Sequence, residues 1–139
     1  MSDNYGVLIK QTAQQMNRAM DTYAHQLGVT GVQLSILDFI SRNAHRDVIQ
    51  HDVELEFNIQ RATATVLLQR MVREDLIVRT PSPNDARQKT IALTQRGTEL
   101  ATRAATFINH HQNAIDTHFS PEERQIFRDV LAYFKALNQ

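Results

Sequence analysis

The sequence predicts a mainly α-helical chain carrying one small β-wing of two or three strands, and three observations lead there. Apolar residues recur three and four apart over most of the length. Helix-start signals punctuate it: Thr30 with Gln33, and Ser120 with Pro121 and Glu123. Between residues 76 and 93 the apolar period changes from helical to alternating, on either side of a proline-rich turn.

Taken in order, Leu8, Met16, Ala19, Met20, Tyr23 and Leu27 stripe a long amphipathic helix over residues 5–27, ended by Gly28. The T-x-x-Q capping box opens a second helix with Val32, Ile36, Leu37 and Ile40, and the polar run 41–47 is a loop. A short helix over 50–57 turns Val53 and Phe57 inward. After Asn58 comes a basic helix with Ile59, Ala64, Leu67, Leu68 and Met71 on one face and Thr65, Val66 and Gln69 opposite. Two helices joined by a tight turn, the second of them basic, outline a helix-turn-helix. Residues 76–80 and 89–93 read as strands around a turn at Pro81–Asn84. This ribbon is too small to stand alone and must pack on the helices. Thr94 caps a helix over 95–117, roughly 33 Å long, and a last helix carries Ile126, Phe127, Val130, Leu131, Phe134 and Leu137.

The 139 residues suit one domain with a real core. No apolar run reaches the roughly 18–20 residues of a membrane span, and the N-terminus lacks signal-peptide character, so a cytoplasmic location without membrane contact is expected. The absence of cysteine excludes disulfides, thiolate metal sites and cysteine nucleophiles. No nucleophile–base pair and no glycine-rich phosphate loop stand out, so an enzyme is not expected, nor a cofactor. His25, His110, His111 and His118 lack the tight spacing of a metal site and read as a solvated face; no metal is expected. Net charge is zero, yet residues 60–97 hold seven basic side chains against three acidic ones. That local excess suits a nucleic-acid footprint.

Residues 59–97 carry a family likeness. A basic helix is followed by Leu76-Ile77-Val78-Arg79, then by the D-x-R-x-K turn Asp85-Ala86-Arg87-Gln88-Lys89, then by Leu93-Thr94-Gln95-Arg96-Gly97. In this order the chain resembles the MarR (multiple antibiotic resistance regulator) family over nearly its whole length. The resemblance implies a single domain over 1–139, with a winged helix-turn-helix at about 30–95 and dimerisation helices at about 5–28 and 95–139. It implies a homodimeric, sequence-specific transcriptional regulator on a pseudo-palindromic double-stranded DNA operator, a repressor released by a small aromatic effector. Tyr5, Leu8, Phe119, Phe127, Leu131 and Phe134 would serve the dimer. Gln60, Arg61, Thr63, Thr65 and Gln69 would meet bases or phosphates in the major groove. Arg87 is the wing cation for the minor groove, where negative potential is concentrated. Asp85 would orient Arg87 through a bidentate pair, and Lys89 would contact phosphate. Met16, Met20, Tyr23, Ile36 and His111 would line the effector pocket.

Two departures stand against the family pattern. Asp75 occupies a position where glycine is usual, so another residue must end the helix. Asp52, Glu54 and Glu56 place acids on the helix preceding the recognition helix. The second reading they raise is a winged-helix protein-interaction module without DNA binding. Operator sequence, target genes and effector identity are not written in a single chain.

Overall fold

The structure, a computed structural model, describes residues 3–85 and 87–139; Ala86, inside the D-x-R-x-K turn, lies outside the described residues. The elements are α1 (Tyr5–Gln26), α2 (Gly31–Arg42), α3 (Gln50–Phe57), α4 (Arg61–Arg73), β1 (Ile77–Pro81), β2 (Lys89–Leu93), α5 (Gln95–His118) and α6 (Pro121–Leu137). The chain divides into two compact units, one reaching Ala104 and one starting at Ala105, with α5 running through the boundary. Among the described residues, no helix is long and apolar enough to cross a membrane.

In the first unit, Leu34, Ile36 and Leu37 of α2, Val53 of α3, Leu68 and Met71 of α4, and Leu76 and Ile77 at the ribbon's base are fully buried together. Each such side chain gains about 1.5–3 kcal/mol by leaving water. The expected capping boxes form. Thr30 Oγ1 accepts from the Gln33 amide at 3.1 Å while Gln33 Oε1 accepts from Thr30 N at 3.0 Å. Ser120 and Glu123 do the same at the start of α6, in the second unit.

Helices α1 and α4 end in the same way with different residues. After α1, Gly28 takes φ 80°, and the amides of Gly28 and Val29 return to the carbonyls of His25 and Ala24. After α4, Asp75 takes φ 60°, and the amides of Asp75 and Leu76 return to Val72 and Met71. Both are Schellman turns. The aspartate therefore does the work of the missing glycine itself, because a short polar side chain tolerates the left-handed region. Leu76 is used in this turn, so β1 starts one residue later than the alternation suggests.

The ribbon is antiparallel, with Arg79 opposite Ile91 and Thr80 opposite Thr90. A third stretch joins it through a single bridge from Ile49 to Thr90, with Ile91 N donating to the Val48 carbonyl at 2.7 Å. The turn between α3 and α4 is longer than expected: Asn58 is left-handed at φ 50°, Gln60 is the N-cap, and α4 begins at Arg61.

The start of α5 closes on the end of α4. Arg96 donates to the Glu74 carbonyl, Thr94 Oγ1 to the Asp75 carbonyl at 2.7 Å, and Thr94 N to the Leu76 carbonyl at 3.2 Å. Thr94 Oγ1 also accepts from Gly97 N at 3.0 Å. A Cβ on Gly97 would collide with the Leu76 carbonyl oxygen, so the glycine is a packing requirement. From the other side, the buried Gln33 donates to Glu74 Oε2 at 2.9 Å. Hydrogen bonds from Arg70 and then Gln33 hold the Glu74 carboxyl below its ordinary range.

Two outcomes follow. Gly97→Ala should destabilise by about 1–3 kcal/mol through overpacking against backbone. Asp75→Val should cost about 1–3 kcal/mol from a β-branched residue at positive φ, whereas Asp75→Gly should cost nothing. Urea unfolding measures all three, and a neutral Gly97→Ala would disprove the close approach. Because Glu74's folded pKa is depressed, its stabilisation is present above the ordinary carboxylate range and disappears as pH falls through the lowered value. The stability gap between wild type and Glu74→Gln should accordingly close on acidification. A gap that widens would refute the assignment.

Candidate nucleic-acid interface

The N-terminal ends of α3 and α4 and the ribbon surround one concave groove of about 480 Å³. Four cations line it: Arg61 from the first turn of α4, Arg79 from β1, and Arg87 and Lys89 from the wing. Glu54 and His51 face the same space. Glu54 is shielded and engaged, with Oε1 3.5 Å from His51 Nδ1 and Oε2 accepting from Gln50 at 3.3 Å. Asp52 is turned back into its own helix, where it accepts from Ile49 N and from Arg46, each at 3.0 Å. Two of the three acids that weighed against a polyanion are thereby partnered, while Glu56 is exposed.

On α4, Ala64, Leu68 and Met71 face the core, while Gln60, Arg61, Thr63 and Gln69 are exposed. Thr65 is half-buried. Its hydroxyl donates to the Arg61 carbonyl at 2.9 Å and accepts from Gln50 Nε2 at 2.9 Å. With both roles engaged inside the protein, it is turned toward α3. Ala62 and Val66 are exposed beside Gln69, and Val66 is 65% accessible. An apolar residue opposite the Ala64–Leu68–Met71 stripe was the signal that could have marked Val66.

In the wing, Asp85 holds Arg87 through one oxygen. Oδ1 accepts from Arg87 N at 3.0 Å and from its Nε at 3.3 Å, in place of the expected two-oxygen fork. The spacing of two residues favours this local turn, in which a carboxylate caps the backbone it precedes. The guanidinium remains outward, with the Arg87 side chain 92% exposed. Lys89 is exposed at the start of β2.

Sequence reasoning passed over Gln50 and Arg79. Arg79 Nη2 donates to Gln50 Oε1 at 2.7 Å.

Of the effector-pocket residues, Met20 and Tyr23 pack half-buried on the core, Ile36 is fully enclosed within it, and Met16 is exposed. His111 lies in the second unit with its Nδ1 2.9 Å from the Phe107 carbonyl oxygen. Among the described residues, no group of three or more histidines and carboxylates is placed to hold a metal ion.

Comparison with known proteins agrees with this architecture. The profile of the MarR family matches residues 27–88. The transcription regulator MarR of Oenococcus oeni shares 34% identity, with 96% of this chain and 99% of that chain superposed at a TM-score of 0.88. The chain belongs to the MarR family. Staphylococcus aureus MepR in its DNA-binding conformation shares the fold at a TM-score of 0.89 and 22% identity, over 98% of this chain and 99% of that one. The homoprotocatechuate degradative operon repressor of Escherichia coli is 36% identical over 87 residues. That match takes in 63% of this chain, which spans 59% of the repressor's length.

Proposed function

We propose that this chain is a sequence-specific, duplex-DNA-binding transcriptional repressor acting as a homodimer. The observation that carries the reading is the cationic groove between α4 and the wing, with the outward face of α4 left open beside it. In the assignment, α4 enters the major groove, with Gln60, Arg61, Thr63 and Gln69 against bases and phosphates. Val66 and Ala62 suit thymine methyl groups. Arg87 reaches the adjacent minor groove, held by Asp85, and Lys89 meets phosphate. Thr65 serves from within. The work is binding, not catalysis, and it takes place in the cytoplasm. With Asp52 and Glu54 engaged within the protein, the cationic groove favours DNA over a protein-interaction module.

Dimerisation is supported by uncovered apolar surface. In the second unit no residue of α6 is buried, and Ile115, Phe119, Ile126, Phe127 and Val130 line an open apolar hollow of about 490 Å³. In the first unit Tyr5, Leu8 and Met16 of α1 are exposed. Side chains of this size left in water favour a partner surface. The relative named for a homoprotocatechuate operon supports an aromatic acid as the releasing effector. Such a ligand works only through different affinities for two dimer geometries.

The oligomer and its target are tested together. Sedimentation should give a dimer at micromolar concentration. The preferred duplex should hold two half-sites about 10 bp, roughly 34 Å, apart. Its affinity should fall steeply with salt as counterions are released. A monomer, or protection of one half-site alone, contradicts the reading. Arg61→Ala and Arg87→Ala should each change stability by no more than about 0.5 kcal/mol and weaken operator binding by roughly 1–3 kcal/mol. Fluorescence anisotropy measures the binding loss, and wild-type affinity in both variants would remove the DNA assignment.

A further inference from the structure

Gln50 is the first residue of α3, and its amide reaches two other elements. Oε1 accepts from Arg79 Nη2 of β1 at 2.7 Å, and Nε2 donates to Thr65 Oγ1 of α4 at 2.9 Å. A longer contact of 3.4 Å runs from Nε2 to the Arg61 carbonyl oxygen. One planar amide therefore ties the first helix of the helix-turn-helix, the recognition helix and the wing. The bond from Arg79 is charge-assisted, the stronger kind. Arg79 Nε is buried with no hydrogen-bond partner, so the guanidinium depends on Gln50 for its fixed place. Removing that acceptor would leave a shielded cation poorly compensated.

The tie lies where geometry matters most. DNA dictates the separation between a major groove and its neighbouring minor groove, so the protein must hold Arg61 and Arg87 at a matching separation. A two-stranded ribbon is not rigid alone. The wing is fastened at its root by the turn at residues 74–76 and along β2 by the single Ile49–Thr90 bridge. The amide of Gln50 adds a directional link from β1 to α4, and a hydrogen bond of that length tolerates little rocking.

We propose that Gln50 is a positioning residue for DNA recognition: through Arg79 and Thr65 it fixes the wing's Arg87 relative to Arg61 on the recognition helix, its own amide being engaged within the protein. The proposal rests on the assignment of Arg61 and Arg87 to DNA. The test is a double-mutant cycle on a duplex that the protein has selected from a random pool. Gln50→Met keeps the stem and removes the amide. It should weaken binding roughly tenfold, but less than about threefold in an Arg87→Ala background, because the minor-groove contact that depends on the wing's placement is then gone and only the phosphate contact of Lys89 remains there. Hydroxyl-radical protection of the minor groove should fade in Gln50→Met, while guanine-methylation interference in the major groove persists. Arg79→Met breaks the same tie from the wing side and removes the half-buried guanidinium with its unpaired Nε, so it should repeat the pattern even where Gln50→Met does not fold. Losses that simply add in the double variants would overturn the proposal and leave the DNA assignment standing. So would a Gln50→Met protein with wild-type affinity. Wild-type affinity in Arg87→Ala would instead remove the wing's assignment to DNA, and the positioning role with it.

Discussion

Three consecutive carbonyls, those of Glu74, Asp75 and Leu76, each accept a hydrogen bond from residues 94–96, and the rest of the first unit is arranged around that clamp. Helix α4 ends there, β1 starts just beyond it, and α5 begins against it. A helix end exposes carbonyls that need partners, and here the neighbouring element supplies them. The left-handed backbone at Asp75 aims the carbonyls, and the bare Cα of Gly97 lets α5 come close enough to meet them. Gln33 extends the clamp to α2 through Glu74, so a single short turn relates four elements to one another.

This rigidity matters because the chain has no net charge to spare. A protein that bound nucleic acid through overall basicity would tolerate loose placement. Here the cations are gathered around one groove, and Asp52 and Glu54 are occupied by Ile49, Arg46, Gln50 and His51. Local field then depends on side-chain placement, which packing controls. Arg87 shows how this is done: its backbone and Nε are held by Asp85, while its terminal nitrogens face outward. Phosphate contacts orient such a protein and base contacts give selectivity, so fixed placement serves both.

The second unit obeys a different constraint. Its α6 has strong apolar periodicity, yet every residue of the helix keeps solvent contact within a single chain. Arg124 closes the α5–α6 turn by donating to the carbonyls of Asp116 and Phe119 at 2.7 Å each. The turn is thus secured internally, while the apolar stripe of α6 stays in contact with solvent.

Local chemistry was legible from the sequence alone. The capping boxes at Thr30 and Ser120 and the change of period at residue 76 depend on contacts within a few positions along the chain. That is why the helices could be drawn along the whole chain, and the ribbon and the basic segment within residues 59–97. Only the tertiary structure decided what Thr65, Ile36, Gln50 and Arg79 do. Thr65 lies on the recognition helix, but packing turns it toward α3, and Ile36 is enclosed by the core. Gln50 meets Thr65 and Arg79 across 15 and 29 residues of sequence. No periodicity encodes such meetings, because a hydrogen bond between separate elements is set by how their apolar faces pack.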